Sequence, residues 1–297
     1  MHMRPDSSVV LFFVDGLGIG ERCESNPLVG LDADPIAHFV GSDERSPEIR
    51  MVPTDPRLGV EGRPQSASGQ TTILTGINAP KLLGYHKNGF PNQALREVIA
   101  KDSIFRRLIA SGIEEVVFAN AYTPAFFESP PRWKSATTVA MEAAGIAFRK
   151  LPDLVGRCAL FHDFTNRTLR ERGFDVPLFS PIDAAEILAS LTSRYRFVLY
   201  EHFLTDKIGH DQDHASARQH LPELAEFVRE TISRLDSERT TFVLTSDHGN
   251  IEDLSVRNHT LNDVPTLVWG RRCDETASRI NDLADVAPAI FDLLTHD

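Results

Sequence analysis

The chain has 297 residues, 41% of them hydrophobic and 25% charged, with a net charge of −11 and a mean hydropathy of −0.20. At ~100–200 residues per domain, such a chain buries a sizeable core without disulfides, and its ordinary apolar content excludes a mainly disordered state. The acidic balance argues against a nucleic-acid partner, and the longest apolar run, Val9–Val14, is too short for a membrane span.

Strand-like apolar runs alternate with amphipathic, helix-like segments along the chain. Val9–Val14 has the continuous character of a buried strand, and it is cut off by Asp15 with no cleavage-site pattern, so no signal peptide is expected. A helix is predicted from Ser66, stopping at Gly76. Helical apolar spacing runs through Gln93–Ala110 (Leu95, Ile99, Phe105, Leu108, Ile109) and is closed by Gly112. Val116–Ala119 is a predicted strand. Tyr122–Ser180 is the least regular stretch and reads as an excursion from the core. Ala184–Leu191 and Leu221–Leu235 are predicted helices, Phe197–Phe203, Thr241–Thr245 and Val264–Trp269 strands, and Asp285–Leu294 a closing helix. This alternation predicts a mostly parallel sheet covered by helices on both faces, within one domain spanning the chain. Three scattered cysteines (Cys23, Cys158, Cys273) without a CxxC pattern fit a reducing cytoplasm, and Cys158 and Cys273 read as buried or half-buried apolar residues.

Three of the predicted strands run into carboxylates: Val9–Val14 into Asp15-Gly16, Phe197–Phe203 into Leu204-Thr205-Asp206, and Thr241–Thr245 into Ser246-Asp247-His248-Gly249. Ligands of parallel sheets bind beyond the carboxyl ends of the strands. Carboxylates gathered there repel one another unless a cation separates them. His210, His248 and His259 accompany them, and a mixed Asp/His set suits Zn or Mn and suffices for two sites. A pair of metals is the usual apparatus of in-line phosphoryl displacement.

These motifs carry a resemblance. Val14-Asp15-Gly16, Asp206-Lys207-Ile208-Gly209-His210, Thr245-Ser246-Asp247-His248-Gly249-Asn250, Asn258-His259-Thr260 with Val264-Pro265, and the tail Leu283–Pro288 stand in the order of the alkaline phosphatase superfamily. The chain resembles its cofactor-independent phosphoglycerate mutase and phosphopentomutase branch most. The resemblance implies an alkaline-phosphatase-like three-layer α/β sandwich. It also implies one metal on Asp206, His210 and His259 and another on Asp15, Asp247 and His248. Ser66, followed ten residues on by Gly76, resembles the start of the family's nucleophile helix. There a helix N-terminus favours phosphate and a metal on the serine oxygen favours its alkoxide. Ser68 and Thr71 are alternative nucleophiles, and a plain helix cap is the structural alternative for Ser66.

Two departures from the branch stand out. The family's Gly-His is Gly69-Gln70 here, and Ile77–Ser103 is too short for the large cap domain inserted after the nucleophile helix. At most a small lid is expected, within 77–103 and 122–180. The expected activity is therefore metal-dependent hydrolysis of a small phosphorylated substrate through a phosphoserine at Ser66. A phosphomutase, or a non-catalytic metal-binding protein with the same fold, are the alternatives. Lys207 and Gln70 are expected to touch substrate. Arg63, His86, Lys87, Arg132 and Lys134 are candidates for the substrate mouth, His214 is a weaker candidate ligand, and His202 reads as a core histidine.

Overall fold

The computed structural model describes residues 5–31, 48–129 and 131–296. Its six-stranded sheet has the order β2 (Ile49–Thr54), β8 (Val264–Gly270), β7 (Thr240–Thr245), β1 (Ser8–Val14), β6 (Phe197–His202), β3 (Val116–Phe118). The pairings β3–β6, β6–β1 and β1–β7 are parallel, and β8 runs antiparallel to both β7 and β2. A short parallel pair, β4 (Ala121–Tyr122) and β5 (Arg149–Lys150), stands apart. The helices in chain order are α1 (Ser66–Thr75), α2 (Ala79–Leu83), α3 (Gln93–Asp102), α4 (Ile104–Ala110), α5 (Pro124–Glu128), α6 (Ala136–Ala144) and α7 (Leu151–Val155). They continue with α8 (Arg167–Glu171), α9 (Pro181–Leu191), α10 (Leu204–Asp211), α11 (His214–Arg234), α12 (Cys273–Ser278) and α13 (Val286–Thr295). No helix among the described residues is long and apolar enough to cross a membrane.

The period-two geometry of a strand explains why the apolar run of β1 needs cover on both faces. Val10, Phe12 and Val14 join a core shared with Val198 and Tyr200 of β6 and with the apolar faces of α9 and α11. Val9, Leu11 and Phe13 point the other way, into a core closed by α1, α4, α6 and α13. The result is a three-layer α/β sandwich with a mostly parallel central sheet, as the alternation predicted. Phe12 meets Tyr200 and Phe227 edge-on at 5.1 Å, and each such buried ring contributes about 1.5–3 kcal/mol through area alone.

Helix α1 is buried along most of its length although half of it is Ser and Thr. Thr71, Thr72 and Thr75 donate their hydroxyls to carbonyls four residues back, at 2.6, 2.8 and 2.7 Å, so burial leaves no hydroxyl unpaired. Gly76, in the left-handed region at φ 73°, ends the helix as expected.

The expected helix over Gln93–Ala110 is two helices. Ser103 adopts an extended conformation (ψ 148°), closing α3 and opening α4, and the bend turns Ile99, Ile104 and Phe105 alike into the core. Helix α11 begins at His214 rather than Leu221, because Asp213 caps it by accepting from the N–H groups of Ala215 and Ser216. Strand β2 escaped the sequence reading. Pro53 breaks its strand signature, and a proline is tolerated there because β2 is the sheet edge. The stretches read as possible lid material are anchored to the core at several points: Leu95 and Ile99 of α3, Ala136 to Met141 of α6, and Leu160, Phe164 and Leu169 are all buried.

Candidate metal centre and the cavity above it

Strand register brings the site together. Val14 of β1 lies beside His202 of β6, and Phe13 beside Thr245 of β7, so the residues that follow emerge at one edge of the sheet. Asp15 N–H donates to the His202 carbonyl at 2.8 Å, and Thr205 Oγ1 donates to the Asp15 carbonyl at 2.5 Å, fixing the first carboxylate against the entry of α10. Gly16 follows at φ 72°, where a Cβ would stand 2.8 Å from the backbone of Asp206; only glycine lets the two acidic segments approach this closely. Gly69 plays the same part for α1, because a Cβ there would meet Asp247 at 2.9 Å.

Two overlapping groups of ligand atoms result. Asp15, Asp247 and His248 form one, and Asp206, His248 and His259 form the other. His210 adjoins the second group, its Nε2 lying 3.4 Å from Asp206 Oδ2 and 3.1 Å from His259 Nε2. All six residues named from the sequence thus converge. The difference from the expected division is that His248, stacked on His259 with ring centroids 3.5 Å apart, stands between the groups.

The tautomers test whether a cation fits. His210 Nδ1 is 2.6 Å from the Arg257 carbonyl and His259 Nδ1 is 2.8 Å from the Pro64 carbonyl, so both Nδ1 atoms must donate. Both Nε2 atoms are then bare lone pairs, facing each other and a carboxylate. That arrangement is repulsive unless a cation lies among them, and it is the usual second shell of a metal-binding histidine. Asp15 Oδ1 and His248 Nδ1 are buried and find no hydrogen-bond partner among the described residues. Burial, reinforced by neighbouring carboxylates, holds Asp15 and Asp247 well above the usual carboxylate range, and burial pushes His248 and His259 down. Each shift disfavours the protein's own charges and is relieved by a bound divalent ion. The residues present fit a metal.

The other candidates sort by position. Ser66 Oγ lies 3.0 Å from His248 Nε2 and lines the cavity, whereas the Ser68 and Thr71 hydroxyls are fully buried and donate to the Gln65 and Ala67 carbonyls. Gln70 Nε2 spans the carboxylates of Asp15 and Asp247, at 3.1 and 3.2 Å. Lys207 and Lys134 line the cavity, the latter already held by Glu142 at 2.7 Å. Arg63, His86, Lys87 and Arg132 are absent from its lining. Arg63 donates to the His259 carbonyl, His86 meets the Val60 carbonyl, Lys87 donates to the Asn88 carbonyl, and Arg132 lies over the Trp133 ring. His214 opens α11 and belongs to neither ligand group. His202 is the core histidine expected, fully buried between the His162 carbonyl and His220. Cys158 and Cys273 are half-buried and Cys23 is exposed.

Sequence reasoning passed over Glu252. Its buried carboxylate accepts from Gly18 N (3.0 Å), Asn250 N (2.7 Å), Thr260 Oγ1 (2.5 Å) and Asn262 Nδ2 (3.1 Å), tying together the loops that carry Asp15, His248 and His259. Nothing in the spacing of one glutamate announces such a role. Asn250, read only as part of a motif, donates to Asp206 Oδ1 at 2.8 Å and orients it.

Above this floor lies a cavity of about 800 Å³, reached past Phe90, Tyr122, Phe126, Trp133 and Phe203, with Asp15, Ser66 and Gln70 at its base.

Comparison with known proteins agrees with this geometry. Residues 181–297 match the family model described as the Metalloenzyme superfamily. The 2,3-bisphosphoglycerate-independent phosphoglycerate mutase of Moorella thermoacetica is 27% identical over 124 residues, covering 40% of this chain and 24% of the mutase. The chain thus matches only about a quarter of that enzyme's length. The phosphopentomutase of Alkaliphilus metalliredigens is 29% identical over 95% of this chain and 73% of its own. Among solved structures, alkaline phosphatase from the Antarctic bacterium TAB5 superposes with a TM-score of 0.52 at 12% identity, covering 98% of both chains. The chain is thus similar over residues 181–297 to the Metalloenzyme superfamily, over 95% of its length to a phosphopentomutase, and in fold to an alkaline phosphatase.

Proposed function

We propose that the chain is a metal-dependent phosphoryl-transfer enzyme that hydrolyses a small phosphate ester through a phosphoserine at Ser66. One arrangement carries this reading: Ser66 Oγ stands on the cavity floor at the N-terminus of α1, 3.0 Å from a histidine that belongs to both ligand groups. In this reading Asp206, His210 and His259 hold one divalent ion and Asp15, Asp247 and His248 a second, with manganese or zinc suiting the donors. When bound, the ions offset the three carboxylates, favour the Ser66 alkoxide and stabilise the leaving oxygen.

The protein's own groups account for the rest. Ser66 Oγ loses its proton and bonds to phosphorus as the ester oxygen departs and is protonated. Water then attacks the phosphoserine, releasing inorganic phosphate and restoring the hydroxyl. Helix α1 directs the positive end of its dipole at the phosphate and carries no acidic residue in its first turn. Lys207 and Arg172 line the cavity and supply positive charge for the outer phosphate oxygens, while Gln70 holds two carboxylates in place. Three unpaired cysteines support a cytoplasmic setting.

Similarity to a phosphopentomutase over 95% of the chain favours a second reading, in which the phosphoserine returns its phosphoryl group to another hydroxyl of the same substrate. Hydrolysis is preferred because a mutase must exclude water and retain its intermediate. Between α1 and α4 the chain has only residues 77–103, anchored to the core by Leu95 and Ile99, and the rings at the cavity mouth are half exposed. Product analysis with 3-phosphoglycerate and ribose 1-phosphate separates the two: free phosphate is expected, and isomer with little phosphate released would establish the mutase. Ser66→Ala should retain its metal and fold while losing turnover by several orders of magnitude. An active Ser66→Ala with a dead Ser68→Ala would move the nucleophile.

A further inference from the structure

The cavity wall differs in chemistry from its floor. Phe90, Trp133 and Phe203 are 48%, 49% and 43% exposed, among the most exposed aromatic side chains described, and all three line this one opening. Exposed rings scattered singly mean little, but rings gathered about a catalytic opening mark a surface that a ligand covers. Phe203 is the most telling. It follows β6 directly, three residues before Asp206, and one face of its ring stacks on His162 at 4.0 Å with the planes 24° apart. Its other face is what remains to account for the exposure. Burial holds His162 neutral, pushing its pKa down to about 3, so the stack beneath Phe203 carries no charge to attract an anion.

Apart from Lys207 and Arg172, which serve the phosphate in this reading, polar groups of the same wall are largely engaged with one another. Asn120 uses both ends of its amide on the backbone of Glu201, at 2.7 and 3.0 Å. Tyr122 Oη is hydrogen-bonded to Thr138 at 3.0 Å, Lys134 is bound to Glu142, and the Glu201 carboxylate accepts from Thr137. An alcohol rich in hydroxyls would find few free partners here, whereas a flat apolar group would find ring faces.

We infer that the ester's alcohol carries a planar aromatic ring, which lies on the open face of Phe203 within the wall formed with Phe90 and Trp133, while its phosphate rests on Ser66. The inference deepens the phosphoester reading and rests on it. The shared chemistry has two sources, a nucleoside base or an aryl group, and the arms of the test tell them apart.

Manganese-loaded enzyme is assayed for phosphate release from 1-naphthyl phosphate, adenosine 5′-monophosphate, ribose 5-phosphate and glycerol phosphate. One stacked ring should raise kcat/KM about 10- to 100-fold over ribose 5-phosphate. The gain should lie mainly in KM, and Phe203→Leu should reduce it about tenfold. Preference for the adenosine or the naphthyl ester identifies the source of the ring. Separately, adenosine and 1-naphthol are titrated against metal-stripped enzyme, following quenching of Trp133 fluorescence, with Trp133→Phe as the control for Trp269. Saturable quenching by one of them, weakened in Phe203→Leu, is expected. Phosphate release without any preference for ring-bearing esters would overturn the inference and leave the hydrolase reading standing. Saturable quenching without phosphate release from any ester would keep the ring site and overturn the hydrolase reading.

Discussion

The two bare nitrogens of His210 and His259, 3.1 Å apart, are the sharpest statement the site makes at the level of single residues. Each ring is held by a carbonyl on its far side, so the neutral residues cannot swap tautomer to relieve the contact, and a positive charge placed between them, a metal ion or a shared proton, is what relieves it. Removing either kind of donor should therefore show in metal content before it shows anywhere else. Asp247→Asn and His259→Ala, purified and measured by elemental analysis, should each lose at least one equivalent of bound metal per chain; full retention in both would defeat the assignment. The candidate ligands stood out in the sequence because metal chemistry favours a few residue types, gathered here after the strands. The role of Gln70 was legible only as a departure from a resembled pattern. Its amide bridges Asp15 and Asp247, a contact that depends on α1 docking within reach of both strands, which spacing along the chain does not encode.

At the level of elements, the loops after β1 and β7 and the loop before β8 are joined by single backbone hydrogen bonds, from Ile251 N–H to the Gly16 carbonyl, Thr260 N–H to the Gly249 carbonyl and Ile19 N–H to the Asp263 carbonyl. Glu252 adds four more from four residues. Burial raises the pKa of its carboxyl, yet two backbone N–H groups and two side chains stabilise the charged form. Glu252→Gln keeps the volume but presents an amide N–H to one of these donors. We expect metal affinity to fall about 10- to 100-fold, as for other partners that orient ligands, with the melting temperature of chelated protein lowered far less. Equal loss of stability with and without metal would mark Glu252 as a general core residue instead. The elements themselves were read well where burial on both faces left an unbroken apolar run, as in β1, β6 and β7. They were misread where a single polar residue decides: Ser103 splits a periodic segment into α3 and α4, and Asp213 starts α11 a full two turns early. Such residues act through one or two side-chain hydrogen bonds, which apolar periodicity does not record.

For the molecule as a whole, acid stability should be governed in part by a pair of histidines joining the sheet to α11. His202 Nδ1 donates to the His162 carbonyl at 2.8 Å, so its Nε2 must accept, and His220 Nε2 must donate to it, also at 2.8 Å. A second proton has no place there. Burial pushes the pKa of His220 down to about 4 and that of His202 well below its ordinary value. The unfolded chain takes up these protons as pH falls through about 6.5, whereas folded His220 resists until about 4. Between those values the unfolded state binds more protons, so stability falls with falling pH and levels off below, losing about 3 kcal/mol through His220 alone. Urea unfolding at pH 7.5, 6 and 5 should show this slope, and His220→Gln, which retains a donor toward His202, should flatten it. An unchanged slope would exclude the pair as its source. The two-faced burial that makes a three-layer sandwich was legible in the alternation of runs and helices. The membership of α6 in the core was not, because its apolar residues are mostly small and are interrupted by Thr137 and Thr138.

The cavity is assembled from two sources under different steric constraint. The floor is made by strand ends and by α1, where Gly16 and Gly69 leave no room for a methyl group, so almost any exchange there meets backbone. Phe90, Phe126 and Trp133 of the aromatic wall lie outside the strands, so their rings can be traded without disturbing the sheet. Chemistry and preference are thus separable on this scaffold. Descendants of such a chain can drift from one alcohol to another by repainting the wall while inheriting the reactive floor unaltered, and a library confined to Phe90, Phe126 and Trp133 would sample new substrates at little risk to the fold.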